Sequence, residues 1–196
     1  MAATANGTTQ YLTTAGTITG LTTYSYAFWY YPLHVPGNGS VRELFSMTAA
    51  ASSFEVDFIW DHTDTFYYRG AAHVNAGGGV NSVLHLPSNP TINTWHHFVV
   101  TFAGGVLKIY QDGALVASGS ANGSPNPSQG NPNIWMFAFK GPLYYLDGSM
   151  ANVGVWNAAL TATEALALYT GTDPTTVAVA NQVFYNPLDS SGATTV

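Results

Sequence analysis

The chain has 196 residues, of which 46% are hydrophobic and only 7% are charged, against roughly 25% charged residues in a typical soluble domain. The net charge is −6 with four basic residues, which argues against nucleic acid and against an anionic membrane surface as partners. No apolar run reaches the ~18 residues of a spanning helix, and the N-terminal residues lack the features of a secretory signal. The absence of cysteine excludes disulfides and thiolate chemistry.

The first half of the chain predicts a series of short strands, because runs rich in aromatic and β-branched residues alternate with turn-forming residues. These runs are residues 6–12, 23–31, 41–47, 54–60, 66–69 and 80–86. Residues 70–81 contain three consecutive glycines and are predicted to form a loop.

Residues 94–119, TWHHFVVTFAGGVLKIYQDGALVASG, predict three consecutive strands joined by tight turns. The three runs are residues 95–102, 106–111 and 114–118. They are separated by Gly104-Gly105 and by Asp112-Gly113, and both pairs favour the positive φ angles that two-residue hairpin turns require. The segment is therefore predicted to be an antiparallel meander.

The later part of the chain contains a clear helix signal. Thr161 and Glu164 form a capping box, which predicts a helix over residues 162–169. Gly171 follows at the position where a left-handed residue commonly ends a helix.

The remaining segments complete a single-domain organisation. Residues 119–133 are almost all turn-forming and predict a long loop, which is followed by a strand at 134–139. Residues 177–185 are predicted to be the last strand and to pair with the first. A chain of this length can bury one substantial core and it shows no internal repeat, so we predict one domain over residues 1–196.

The WHHFVVTF run, its glycine turn and the following IYQDG resemble the signature hairpin of laminin-G-like domains. These are jelly rolls of the concanavalin A-like lectin/glucanase superfamily. The aromatic strand that contains Trp29 and the strand–helix segment 148–169 resemble two further landmarks of the family. The resemblance implies an all-β fold, a two-sheet antiparallel jelly-roll sandwich of concanavalin A-like type with one short helix in the C-terminal region. The superfamily includes lectins, glycosidases, adhesion modules and virion proteins, so it leaves the function open.

An acidic strand gives the strongest enzymatic signal. Some glucanases of the resembled superfamily carry E-x-D-x-E on one strand, and Glu55 and Asp57 fit its first two acids. Ile59 or Trp60 stands where the second glutamate belongs. The next acid, Asp61, lies about 20 Å from Glu55 along a strand that rises ~3.3 Å per residue, whereas retaining hydrolysis needs carboxyl groups about 5–5.5 Å apart. We therefore predict no catalytic residue and no enzymatic activity.

The histidine pair in the hairpin does not predict a metal site. His96 and His97 are adjacent on a predicted strand, so their side chains point to opposite faces and cannot share one ion. The family resemblance implies that His97 packs inside as a core residue with its hydrogen bonds satisfied.

Calcium is the one metal that the sequence suggests. Asp61 and Asp64 place two carboxylates on one turn, and hard oxygen ligands on loops suit Ca²⁺. Many members of the resembled family bind calcium, but the acidic pair they often use is replaced here by Ala151-Asn152. The prediction is therefore no cofactor, with calcium at Asp61 and Asp64 as the alternative to an Asx-type turn.

A glycan site needs exposed aromatic rings beside polar groups. Trp60, Tyr67, Tyr68 and Arg69, next to the loop 70–81, could form such a platform. In the alternative interpretation these aromatic side chains fill the sandwich or a subunit interface.

Three functional hypotheses follow. The first is a non-enzymatic structural or adhesion protein on the surface of a bacteriophage virion, either a capsid decoration or a fibre subunit, which binds host-surface glycans weakly. A surface with so few charges lacks repulsion against self-association, so its expected partners are other virion proteins or further copies of itself. The second is a soluble carbohydrate-binding module assisted by calcium. The third, a glycoside hydrolase, would need a carboxylate partner for Glu55 from another strand.

Overall fold

A computed structural model describes residues 2–14, 21–34, 42–48, 55–61, 69–75, 81–121, 133–138 and 145–188. Two antiparallel sheets face each other, and one helix lies on the outer face of the first sheet. The strands are β1 (Ala3–Asn6), β2 (Leu12–Thr14), β3 (Tyr24–Tyr31), β4 (Arg42–Thr48), β5 (Glu55–Asp61), β6 (Arg69–Asn75), β7 (Asn81–His85), β8 (His96–Ala103), β9 (Val106–Gln111), β10 (Ala114–Ser120), β11 (Asn133–Met136), β12 (Asp147–Trp156) and β13 (Gln182–Asn186). The predicted all-β jelly-roll sandwich with one short helix is confirmed.

Strands that follow one another in the chain do not always lie in the same sheet. The first sheet has the order β1-β12-β3-β8-β9-β10, and β13 pairs with β12. The second sheet has the order β2-β11-β4-β5-β6-β7. The meander predicted from residues 94–119 is β8, β9 and β10, and positive φ angles at Gly104, Gly105, Asp112 and Gly113 confirm both predicted turns.

Aromatic side chains fill the space between the sheets. Alternate residues of β3 point inward, and the rings of Tyr26 and Phe28 lie 6.3 Å apart and stacked. Across the sandwich, Phe45 of β4 stacks on Tyr26 with ring centroids 4.6 Å apart. Val56 and Phe58 of β5 are fully buried, which is the alternation expected of a strand with one face towards the core.

A second apolar layer covers the outer face of the first sheet. Helix α1 (Ala162–Tyr169) packs there, and buried residues of β3, β8, β9 and β12 meet it from below. Trp156 is fully buried, and its indole N–H donates to the carbonyl of Val177 at 2.9 Å. The predicted capping box is present, because Thr161 and Glu164 bond reciprocally, and Gly171 ends the helix with φ 96°. Within the described ranges, no helix is long and apolar enough to cross a membrane.

The first predicted strand is wrong in its bounds. Residues 6–12 do not form one strand, because β1 ends at Asn6 and its side-chain Oδ1 accepts N–H groups of Thr8, Thr9 and Gln10. This Asx-type turn redirects the chain, and Gly7 adopts φ 70° within it. The chain then enters the second sheet as β2.

Two further predictions need correction. Residues 70–75 lie in β6 rather than in a loop, and their pairing with β5 and β7 explains the strand. The last strand begins at Gln182 rather than at 177, because Val179–Asn181 forms a 3₁₀ turn entered through Ala178 at φ 46°. It pairs with β12 instead of with β1, which occupies the other half of the same β12 edge.

Three segment predictions lie mainly outside the described residues. These are the strand 66–69, the three-glycine part of the loop 70–81 and the centre of the loop 119–133. Gly119 and Ser120 continue β10, and Asn133 begins β11. The single-domain extent of 1–196 stays a prediction.

Candidate functional site: a cavity on the helix-covered face

A cavity of about 270 Å³ lies on the outer face of the first sheet, between that sheet and the C-terminal end of helix α1. Its volume is close to the ~300 Å³ at which small-molecule sites begin. The lining residues come from β3, β8, β12, the helix end, the following turn and β13: Ala27, Trp29, His97, Asn152, Trp156, Leu168, Gly171, Thr172, Asp173, Pro174 and Tyr185. This cavity is called the Trp29 cavity below.

Aromatic rings form one side of the Trp29 cavity. Trp29 on β3 is paired in register with His97 on β8, and their ring centroids lie 5.0 Å apart. Tyr169, at the end of the helix, stacks on Trp29 with centroids 5.8 Å apart. The indole is therefore fixed by its neighbours while it stays half-buried.

A β-bulge places an amide beside this indole. The register of β12 against β3 shifts between Ala151 and Gly154, and Asn152 adopts φ 51°, which non-glycine residues rarely do. Its Oδ1 accepts from the hydroxyl of Tyr185 at 3.1 Å. The Nδ2 donors of Asn152 form no hydrogen bond within the described residues. Bulges commonly redirect a side chain next to a functional site.

An exposed carboxylate, that of Asp173, also lines the Trp29 cavity. Oδ1 of Asp173 accepts from the backbone N–H of Thr175 at 2.9 Å and from its hydroxyl at 2.8 Å. Both hydrogen bonds lower the pKa of Asp173, and the one from the backbone N–H of Thr175 has the larger effect. The carboxylate is therefore ionised at neutral pH, and Oδ2 remains available as an acceptor.

His97 contributes an uncharged ring. Its side chain is buried at 3% exposure, and burial lowers its pKa to about 4, against the opposing effect of Asp112. Nδ1 is buried without a hydrogen-bond partner. The expected burial of His97 is confirmed, but the ring lies below the helix layer rather than between the sheets. The expectation of satisfied hydrogen bonds is wrong for Nδ1.

Asp112 fixes both histidines of the hairpin. Its Oδ1 accepts the backbone N–H of His97 at 2.8 Å, and its Oδ2 contacts Nδ1 of His96 at 2.8 Å. The second nitrogen of His96 lies 3.1 Å from the carbonyl of Thr91. His96 thus ties the turn at Asp112 to the segment before β8, and it has a structural role on the face opposite to His97.

The predicted glycan and calcium residues lie on the second sheet, away from the Trp29 cavity. Trp60 and Asp61 end β5, and Arg69 begins β6 in register with Asp61. The structure therefore brings the backbones of these three residues together at one end of the sheet. Tyr67, Tyr68 and Asp64 lie outside the described residues. The glycan platform and the calcium site stay predictions.

The acidic strand has no carboxylate at its nearest paired positions. Glu55 is in register with Thr48 on β4 and with Asn75 on β6. Asp61 lies at the far end of the same strand. Within the described ranges, no group of three or more histidine, aspartate or glutamate side chains could hold a metal ion.

Comparison with protein families identifies the class. The model for the concanavalin A-like lectin/glucanases superfamily, in its laminin-G form, matches residues 6–165. The chain therefore belongs to this superfamily. The comparison with curated proteins finds no match.

Solved structures with this fold come from several kinds of protein. The heptameric SAP-like pentraxin of Limulus polyphemus aligns with a TM-score of 0.64 and 13% identity, over 97% of this chain and 90% of the pentraxin. A candidate carbohydrate-binding protein from Bacteroides ovatus gives 0.69 and 17%, over 97% of this chain and 51% of that protein. Tailspike protein 2 from Escherichia coli O157:H7 bacteriophage CAB120 gives 0.64 and 16%, over 92% of this chain and 25% of the tailspike. At such identities the likeness shows the fold alone.

Proposed function

We propose that this protein is a non-catalytic carbohydrate-binding domain and that the Trp29 cavity holds one sugar unit of its ligand. The observation that carries this proposal is the meeting of an aromatic face with separate donor and acceptor groups in one cavity. Trp29 offers the apolar surface, Asn152 the donors and Asp173 the acceptor. The similarity in fold to a candidate carbohydrate-binding protein supports the same function.

The chemistry of the cavity suits a sugar ring. One face of a pyranose carries C–H groups that can pack on the indole of Trp29, and burial of such surface contributes about 25 cal/mol per Å². The ring's hydroxyl groups both donate and accept, so one can donate to Asp173 while its neighbour accepts from Asn152. His97 is neutral at pH 7, so it adds no charge to the cavity. None of these groups needs to act as a nucleophile or a proton donor for binding.

A binding screen with one point variant tests the proposal. The wild type is expected to bind at least one family of oligosaccharides on a glycan array, and Trp29→Ala is expected to lower that affinity by about 30-fold, because the side chain contributes roughly 2 kcal/mol of buried apolar contact. Isothermal titration calorimetry with the best ligand gives the affinity.

Two further variants test whether a loss of affinity is specific to the Trp29 cavity. Trp95→Ala removes another partly exposed indole, 39% exposed and paired with Tyr31, and it is expected to leave the affinity unchanged. Asn152→Gly removes the amide but tolerates the positive φ, so it is expected to weaken binding in a fully folded protein. Equal affinities of the wild type, Trp29→Ala and Asn152→Gly for every ligand found would reject the cavity as the site.

A virion role is the second candidate. We infer that such a domain serves as a decoration or fibre subunit on the surface of a bacteriophage particle and contacts copies of itself or other virion proteins. The charged fraction of 7% supports this inference, as does the similarity in fold to part of a bacteriophage tailspike. Leu115, Leu166 and Val179 are 48–62% exposed and could be covered in such an assembly.

Solution mass across a concentration series tests the virion role and the calcium alternative together. Light scattering is expected to show one stable oligomer whose mass does not change with calcium, because the assembly would depend on apolar contacts. A monomer at every concentration would count against the virion role. A melting temperature that rises with calcium, and does not rise in Asp61→Asn, would instead support the calcium-assisted module.

A further inference from the structure

A second cavity lies on the same outer face of the first sheet, at the N-terminal end of helix α1. It is an open groove of about 520 Å³. Its floor is formed by β8 and β9 and its wall by the segment that leads into the helix: Thr101, Ala103, Val106, Lys108, Tyr110, Ala159, Leu160, Thr161 and Ala162. This cavity is called the Lys108 groove, and it shares no lining residue with the Trp29 cavity.

The wall of the groove is held in place by a buried serine. Ser25 on β3 is fully buried. Its hydroxyl donates to the carbonyl of Ala158 at 2.8 Å and accepts from the N–H of Leu160 at 2.8 Å. The helix start is thereby fixed to the sheet, so the groove exists before any ligand binds.

The helix adds a positive end to this wall. Ala162 is the first helical residue, and N–H groups at this position have no acceptor within a helix. The aligned peptide dipoles give the N-terminus about half a positive charge. Glu164 opposes this charge within the first turn, but its carboxylate accepts from Thr161 in the capping box and does not line the groove.

The floor supplies a cation and a hydroxyl. Lys108 is paired in register with Thr101 on β8, and it is the charged side chain among the lining residues. The chain contains only four lysines and arginines in all. A positive groove is therefore a local exception on a protein of net charge −6.

Tyr110 provides an independent indication of a ligand. Its side chain is 4% exposed, yet its hydroxyl forms no hydrogen bond within the described residues and faces the groove. Burial raises the pKa of this phenol, so it stays protonated and can donate. The hydroxyl is not among the fully buried atoms that lack a partner, so it opens into the groove, where a ligand oxygen would accept its hydrogen bond.

We propose that the Lys108 groove binds the carboxylate group of a small organic acid or an acidic sugar. The ammonium of Lys108, the hydroxyl of Tyr110 and the first N–H groups of helix α1 are the donors that hold its oxygens. This inference goes beyond the proposed function, because it concerns another cavity and a negatively charged ligand. It holds whether or not the Trp29 cavity binds a sugar.

The test is an NMR titration with matched charged and neutral probes. Sodium glucuronate is compared with glucose, and sodium acetate with sodium sulfate, at constant ionic strength. Glucuronate is expected to shift the amide signals of Ala162 and of β9, and glucose to leave them unchanged. If acetate binds as well as glucuronate, the ligand class is a simple organic acid; if glucuronate binds at least about tenfold more tightly, it is an acidic sugar.

Three variants test whether anion binding depends on the groove itself or only on the overall charge of the protein. Lys108→Gln and Tyr110→Phe are each expected to lower the affinity for glucuronate by about tenfold, the usual scale for one charge-assisted hydrogen bond. Arg42→Gln removes the same charge from β4 of the second sheet and is expected to change nothing. Equal losses in Lys108→Gln and Arg42→Gln, or signal shifts that avoid the groove for every anion, would overturn the proposal.

Discussion

Replacing Gly148 by alanine is expected to lower the free energy of unfolding by about 4 kcal/mol or more. Gly148 adopts φ 130° in β12, a region that L residues rarely enter. An added Cβ would lie 2.6 Å from the ring of Tyr30 and 2.6 Å from the carbonyl oxygen of Tyr31. That carbonyl belongs to β3, which pairs with β12 at this point, so it cannot move without breaking the ladder.

A matched glycine separates this clash from backbone strain alone. Gly171 also has a positive φ, 96°, but no atom lies within 4 Å of its added Cβ. Gly171→Ala is therefore expected to cost only about 1 kcal/mol. Urea denaturation of the two variants gives the comparison, and a Gly148→Ala protein with no cooperative transition counts as the large loss. The packing argument is wrong if the two variants are equally stable.

The protein is expected to lose about 3 kcal/mol of stability through His97 alone as the pH falls from 7 to 4. Burial lowers the pKa of His97 to about 4, whereas the unfolded chain keeps a value near 6.5. Between these values the unfolded state binds a proton that the folded state does not. Stability from this group is therefore complete above the unfolded pKa and is lost as the pH falls towards the folded one.

His97→Phe isolates this effect, because a phenyl ring can fill the site below Trp29 without titrating. The difference in unfolding free energy between wild type and His97→Phe is expected to change by about 3 kcal/mol between pH 7 and pH 4. His85→Gln removes an exposed histidine and is expected to follow the wild type. Parallel curves for wild type and His97→Phe would show that His97 titrates normally in the folded protein.

The fold could be predicted from short-range signals that happen to be strong here. Asp112-Gly113 and Gly104-Gly105 allow few alternatives to hairpin turns, and the capping box at Thr161 defined the helix to the residue. The errors arose where position in the sheet decides the structure. Asn6 fits a strand and an Asx-type turn equally well, and the partner of residues 182–186 depends on the half of the β12 edge that β1 leaves free.

The Trp29 cavity was harder to predict, since its residues are far apart in the sequence and have no common spacing. The sequence indicates Trp29 only as part of an aromatic strand, and Asn152 only as a position where the resembled family often has an acid. Its role depends on a bulge, which no pattern of residue types indicates. Asp173 and Tyr185 follow the helix and gave no signal of their own. The sequence instead emphasises Trp60, Tyr67, Tyr68 and Arg69, which all lie within residues 60–69.

The position of β3 in the middle of the first sheet has a consequence for synthesis on the ribosome. Strand β3 carries buried aromatic side chains, and its two partners are synthesised much later. Its neighbour β8 lies about 70 residues further along the chain, and its other neighbour β12 about 120 residues further. During translation this apolar strand therefore emerges long before either neighbour exists. Such exposed segments favour aggregation, so the nascent chain is expected to need slow release, dilution or a chaperone until β12 has left the ribosome.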